Sequence, residues 1–246
     1  MTNNAPFPFS LPFLRKEQVA KDAHAFSFDL SSVPFSFLPG QYIRMTLPHE
    51  NADERGTSRF FSIACSPLKT NTLRIITRII KSTFKKTLFN LSEGTPVQFF
   101  GPLGRFVLLE NETMPHVFLS GGIGITPFLS MVPYAAEKKL SIPITLFASF
   151  STTEEMVGLE EVTNAERENP AIKIVYTITR PQESEKPWNG ETGRISEEMI
   201  KKYIQKSLDC LFYIVGPPAM AEAMNQIVTS LGVLKDQIRR ENFTGY

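Results

Sequence analysis

The apolar run Val117–Ser120 passes without a break into Gly121-Gly122-Ile123-Gly124-Ile125-Thr126-Pro127. A strand that empties into a glycine loop, with a helix opening on the far side, constrains this chain more than any other feature. It calls for a parallel α/β sheet with the loop at a strand's carboxyl end. Thr126 suits the N-cap and Pro127 the first helical position. The glycines let backbone approach a bulky anion, and the helix start offers unpaired N–H groups at the positive end of its dipole. A dinucleotide pyrophosphate fits that geometry. So does the plainer reading of a tight turn between strand and helix. The third glycine of the usual dinucleotide fingerprint is missing, and loop composition alone does not choose.

The residues after Pro115 keep this texture. Val117–Ser120, Ile142–Ser149, Ile172–Thr179, Leu211–Val215 and Gln237–Phe243 are apolar or β-branched runs. Thr126–Lys139, Thr153–Arg167, Ser196–Gln205 and Pro218–Leu231 lie between or beside them and read as helices. Strands alternating with helices predict a doubly wound parallel sheet. Leu211–Val215 also opens into a loop, Gly216-Pro217-Pro218-Ala219-Met220, ahead of a helix. Two glycine-opened strand ends on one sheet edge suit one extended ligand. Gly-Pro-Pro also does no more than end a strand and start a helix in many settings.

The first hundred residues read differently. Gln18–Leu30, Gln41–Leu47, Arg59–Cys65, Leu73–Lys81 and Pro96–Phe100 are short β-type runs separated by turn residues such as Pro39-Gly40, and Gly101-Pro102-Leu103-Gly104 closes the set. That spacing predicts an antiparallel barrel or sandwich. Residues 1–14, rich in Phe and Pro, read as an extended arm. A boundary between Val107 and Pro115 gives two domains, 1–110 and 111–246.

Composition removes several alternatives. With 26 Lys and Arg against 25 Asp and Glu, the net charge of +1 gives no broad basic face, and no nucleic-acid partner is expected. No stretch approaches the ~18 apolar residues of a membrane helix. No positive charge other than the terminus precedes the first apolar segment, so neither membrane insertion nor a secretory signal is expected. Cys65 and Cys210 are too few for a cysteine-ligated iron–sulfur cluster or a four-cysteine zinc site. His24, His49 and His116 lack short metal-ligand spacing, and no metal is expected. Two isolated cysteines suit a reduced, cytoplasmic setting.

Smaller features carry chemistry only in combination. In Arg59-Phe60-Phe61-Ser62, strand alternation puts Arg59 and Phe61 on one face and Phe60 and Ser62 on the other. An Arg fork binds phosphate, an aromatic ring lies against a flat ring, and a hydroxyl meets a ring nitrogen. An amphipathic strand with a surface Arg accounts for the same residues. Ser82-Thr83-Phe84-Lys85-Lys86-Thr87 reads as a polar helix start with two cations, suited to phosphate or to solvent. The chain ends Glu241-Asn242-Phe243-Thr244-Gly245-Tyr246; its terminal aromatic either covers a flat cofactor or frays.

In this order, Pro39-Gly40-Gln41, Arg59-Phe60-Phe61-Ser62, Gly101-Pro102-Leu103-Gly104, Gly121–Pro127, Gly216-Pro217-Pro218-Ala219-Met220 and Tyr246 give the chain a resemblance to the ferredoxin–NADP reductase family over nearly its whole length. The resemblance implies an N-terminal antiparallel β-barrel that binds FAD, followed by the doubly wound NAD(P)-binding domain. It implies that Arg59 meets the FAD phosphates, Phe61 stacks on the isoalloxazine beside Phe60, and Ser62 lies near the reactive nitrogen. Thr77 and Arg78 would pass beside the flavin, and Phe84, Lys85 and Lys86 would lie in the pyrophosphate segment. Gly121, Gly122, Gly124, Thr126 and Pro127 would cradle NAD(P)H phosphates, and Gly216, Pro217 and Met220 would flank the nicotinamide. Ser62, Glu241 and Tyr246 are the implied catalytic set, with Tyr246 covering the flavin. The sequence departs from the family in four places, one of them the separation of Glu241 from Tyr246, which is longer than in plant-type members. Phe61 stands for the usual Tyr, Ser82-Thr83-Phe84-Lys85 for Gly-x-x-Ser, and Val215 for the Cys before the second loop.

The implied reaction is hydride transfer from NAD(P)H to FAD, then electron release to a separate ferredoxin or flavodoxin. Alternatives are an electron-transfer subunit of a larger redox complex, a reductase using free flavin as substrate, and a nucleotide-binding regulator without turnover. Glu154 and Glu155 after the second strand of the sheet favour NADH; Arg180 after the third offers a cation for NADPH.

Overall fold

The structure, a computed structural model, describes residues 5–50, 52–69, 71–79 and 82–241. It divides into two compact units. One is Met1–Leu108 with Thr126–Tyr134, the other Leu109–Ile125 with Ala135–Tyr246.

In the first unit the strands are β1 (Phe7–Ala20), β2 (Ala23–Asp29), β3 (Tyr42–Thr46), β4 (Ser58–Ser62), β5 (Thr72–Arg78) and β6 (Pro96–Leu103), with helix α1 (Thr83–Phe89) before β6. They form one antiparallel sheet in the order β4-β3-β6-β1-β2-β5. The Ala64 N–H donates to the Arg74 carbonyl at 2.8 Å, bridging the two ends of that order. The many phenylalanines fill the interior. Phe13, Phe26, Phe28, Phe35, Phe37, Phe61, Phe84 and Phe99 all belong to one buried cluster.

Three expectations change here. Residues 7–14 are no arm: they begin β1, which pairs with β6 through Phe7–Pro12 and with β2 through Phe13–Ala20. Phe9, Leu11 and Phe13 alternate inward, and Pro8 and Pro12 lie where β1 has a single neighbour, so their missing N–H groups break no ladder. The run Gln18–Leu30 is two strands, split by a turn at Lys21 and Asp22. Gly101, Pro102 and Leu103 continue β6 instead of turning, because β1 and β3 flank that strand and supply partners as far as Phe7↔Gly101 and Tyr42↔Leu103.

The second sheet is parallel throughout, in the order β10-β9-β8-β7-β11-β12. Its strands are β7 (His116–Gly121), β8 (Ile144–Phe150), β9 (Ile172–Ile178), β10 (Glu191–Thr192), β11 (Leu211–Val215) and β12 (Ile238–Glu241). The helices are α2 (Phe128–Glu137), α3 (Leu159–Glu168), α4 (Glu197–Tyr203) and α5 (Pro218–Ser230). From β7 the chain builds outward to β8 and β9, then crosses to β11 on β7's other side. The order of strands therefore reverses at the carboxyl ends of β7 and β11, where such sheets bind ligands.

Helix boundaries also shift. Gly122–Ile125 form a 3-10 helix, Thr126 and Pro127 a turn, and α2 starts only at Phe128. The Pro127 carbonyl accepts from the Met131 N–H at 3.2 Å, so the cap falls one residue beyond Thr126. The helix read over Thr153–Arg167 is broken at Gly158, whose φ of +70 stands outside helical geometry. Among the described residues, no helix is long and apolar enough to cross a membrane.

Candidate functional site

In the first unit the candidates gather around one ring. Antiparallel pairing of β4 with β3 fixes which way its side chains point: Phe60 is 57% exposed, whereas Phe61 is 8% exposed. Arg59 and Phe61 share the inner face. The Arg59 guanidinium carbon stands 5.0 Å from the Phe84 centroid, and the Phe61 and Phe84 centroids are 6.0 Å apart. Phe84 departs from its expected part as a contact residue, because it is wholly buried and forms the floor under the others.

The surrounding charges are mostly positive. Arg59 Nη2 meets Asp53 Oδ1 at 2.7 Å, and its Nη1 donates to the carbonyls of Gly56 and Ser58. Asp53 also accepts from Arg55, and mainly that bond holds its carboxyl at about 2. Ser82 caps α1, its hydroxyl accepting from the Lys85 N–H. The Lys85 ammonium is pulled down to about 8, first by burial and then by the positive charges of Arg55, Arg59 and Arg78. Lys86 points to solvent. Thr77 is buried on β5 opposite His24, and Arg78 ends the same strand. Ser62 is 5% exposed, and its Oγ has no hydrogen-bond partner among the described residues.

In the second unit, the two glycine loops meet. Val215 pairs with Ser120, so β11 and β7 end side by side. A Cβ on Gly124 would lie 2.9 Å from both the Gly216 Cα and the Val215 carbonyl oxygen. One on Gly121 would lie 2.0 Å from the Met220 sulfur and 3.5 Å from Pro217. Only bare backbone lets the loops approach this closely. Gly122 takes φ +53 between them. Glu241, at the end of β12, pairs with Val215 on β11's other side. Its Oε2 is buried without a partner among the described residues, and burial raises the carboxyl to about 8.

Farther along the same edge, the loops after β8 and β9 are tied together. Ser184 Oγ accepts from the Thr153 N–H at 3.1 Å, and Glu154 Oε1 from the Glu185 N–H at 2.9 Å. Arg180 is engaged by Glu183 at 2.9 Å and Glu155 at 3.9 Å. Tyr246, expected over the flavin, lies outside the described residues.

Sequence reasoning missed the loop between β3 and β4. It carries His49, Asp53 and Arg55 to the neighbourhood of Arg59 and Phe84. The one available signal was the charge pattern Asp53-Glu54-Arg55 just before Arg59.

Comparison with known proteins gives matches over both units. Residues 10–108 match the oxidoreductase FAD-binding domain, and residues 118–226 the oxidoreductase NAD-binding domain. The glycine betaine monooxygenase reductase subunit of Chromohalobacter salexigens is 24% identical over 86% of this chain and 57% of its own. The reductase component of the Pseudomonas putida naphthalene 1,2-dioxygenase system, a ferredoxin–NAD(P)+ reductase by name, is 26% identical over 86% of this chain and 62% of its own. The chain thus spans about three-fifths of the length of these relatives. The Amycolatopsis cytochrome P450 reductase GcoB shares the fold, with a TM-score of 0.84 at 22% identity over 98% of this chain and 71% of that one.

Proposed function

Because the chain belongs to the ferredoxin reductase-like FAD- and NAD-binding oxidoreductases, we propose that it draws electrons from NADH through FAD and passes them to a separate cytoplasmic acceptor protein of ferredoxin or flavodoxin type. The observation that carries this reading is the group of cations around Phe84, with the Arg59 guanidinium carbon 5.0 Å from that ring, Lys85 next to it in the chain, and Arg55 and Arg78 near enough to act on Lys85. An ammonium depressed to about 8 by burial and three arginines marks a place that a doubly charged anion would relieve. The FAD pyrophosphate fits it.

Bound FAD supplies the redox chemistry, taking two electrons as a hydride and releasing them singly. The chain's own residues bind and orient. Arg59, Arg78 and Lys85 hold the pyrophosphate, with Lys86 at the rim. Phe61 would lie against the isoalloxazine, and the Ser62 hydroxyl, buried without a partner among the described residues, would serve its central nitrogen. Thr77 lines the flavin's flank. At the end of β7 and along the stretch that follows it, Gly121, Gly122, Gly124, Thr126 and Pro127 would cradle the NADH phosphates. Gly216, Pro217 and Met220 flank the nicotinamide, with Glu241 beside them holding a proton at neutral pH. Glu154, Glu155 and Glu183 leave Arg180 little charge for a 2′-phosphate, which favours NADH.

The relatives named above are reductase components of oxygenase systems, and an acceptor that is itself a protein suits this reading better than free flavin. An anaerobic absorbance spectrum of the purified protein tests it. A flavin band that bleaches on adding NADH is the expected result. A colourless protein that reduces added flavin would favour the free-flavin reading, and a protein that neither binds FAD nor oxidises NADH would end the assignment.

A further inference from the structure

His49 stands beside the proposed flavin site with one nitrogen unused. Its Nδ1 lies 2.7 Å from the Leu47 carbonyl. A carbonyl only accepts, so Nδ1 carries the hydrogen, and in that tautomer Nε2 is an acceptor. That Nε2 is buried without a hydrogen-bond partner among the described residues. The ring meets Phe84 edge-on, with centroids 5.8 Å apart and planes at 81°. Phe84 is the same ring that supports Arg59 and Phe61.

The charges gathered around Lys85, the residue that follows Phe84, sharpen what this nitrogen can do. Arg55, Arg59, Arg78 and Lys85 all donate, and Asp53 is already occupied by two of the arginines. Such a set holds phosphate oxygens but offers nothing to the hydroxyl groups on either side of a pyrophosphate. Those hydroxyls are donors, and a buried acceptor left unpaired is the complement they require. We propose that His49 is an FAD-binding residue whose Nε2 accepts a hydrogen bond from a sugar hydroxyl flanking the pyrophosphate, on either the ribityl chain or the adenosine ribose. This rests on placing the flavin at Arg59 and Phe61.

Titration of the apoprotein with FAD, followed by quenching of flavin fluorescence, tests the inference. His49→Phe keeps a flat ring over Phe84 and removes the acceptor, so it should weaken FAD by about tenfold. His49→Gln places an amide near the Nε2 position and should recover most of that loss. An FMN titration separates the two hydroxyls. An equal loss for FMN assigns the bond to the ribityl chain, and a loss for FAD alone assigns it to the adenosine ribose. In the unaltered protein labelled with nitrogen-15, the His49 Nε2 resonance should move when FAD saturates the site. An unmoved resonance, or His49→Phe binding FAD within twofold of the unaltered protein, overturns the proposal. Arg59→Ala run in parallel shows which idea has failed. If it weakens FAD while His49→Phe does not, only the role of His49 is lost; if neither does, the flavin does not sit here.

Discussion

Arg59 and Asp53 form an ion pair at 2.7 Å on the inner side of the first sheet. The arginine side chain is 11% exposed and its Nη1 is spent on backbone carbonyls, so the guanidinium is fixed before any ligand arrives. A preorganised fork is what bidentate phosphate binding requires. Arg59→Ala should therefore lower FAD affinity by tenfold or more, measured by flavin released through a desalting column and by fluorescence titration. A variant purified with its full flavin complement would refute the role given to Arg59.

Lys85 makes FAD binding depend on pH. Its folded-state value of about 8 lies below the ordinary 10.5, so charging it costs the ligand-free chain stability as pH falls through about 8. An adjacent pyrophosphate favours the ammonium and raises its pKa again. Binding thus takes up a proton above pH 8, and FAD affinity should fall as pH rises from about 8 toward 10. Lys85→Met should flatten that slope. Dissociation constants at pH 7, 8 and 9.5 check this; a flat profile for the unaltered protein would count against Lys85 as a pyrophosphate ligand.

What the sequence disclosed follows from the range of the interactions. β11 and its loop, the helix start at Ser82–Thr87, and the two faces of β4 rest on patterns a few residues long, and these were readable. β1 was not, because its prolines argue against a strand unless the single-neighbour stretch beside β6 is known. The place of His49, Asp53 and Arg55 around Arg59 and Phe84 depends on the path of the loop after β3, which no local pattern encodes. The break before α3 needed the positive φ of Gly158.

The meeting of the two glycine loops predicts a steric penalty. A methyl group on Gly124 would press on the Gly216 Cα and the Val215 carbonyl, both at 2.9 Å and both backbone, so neither yields easily. Gly124→Ala should cost about 1–3 kcal/mol of stability and raise the KM for NADH as the cradle opens. Urea denaturation and steady-state kinetics read the two effects. Unchanged values of both would mean that the loops do not approach as closely as these distances state.

Glu241 should show in stability measurements. Burial lifts its carboxyl from 4.5 to about 8, so the folded chain favours the neutral acid. The stability this gives is fully present below about 4.5 and is lost as pH rises through about 8, with a slope of up to about 1.4 kcal/mol per pH unit. Glu241→Gln cannot ionise and should lose less stability than the unaltered protein between pH 5 and pH 8.5. Denaturant melts of both proteins at those pH values isolate the contribution, since the other titrating groups are common to both. Parallel pH profiles would show that Glu241 is ionised in the folded chain.

The choice between nicotinamide cofactors turns on the acids beside Arg180. Glu183 at 2.9 Å and Glu155 at 3.9 Å offset its charge, and Glu154 is held ionised at about 2, chiefly by the Thr153 hydroxyl. A 2′-phosphate arriving there meets like charge, which costs affinity, whereas a 2′-hydroxyl can donate to a carboxylate. We expect kcat/KM with NADH to exceed that with NADPH by at least about tenfold. Glu155→Gln removes one of the charges that offset Arg180 and should raise kcat/KM for NADPH more than for NADH. Steady-state rates with both cofactors decide the matter: equal rates in the unaltered protein, or a Glu155→Gln variant whose ratio does not move, would show that these carboxylates do not face the ribose.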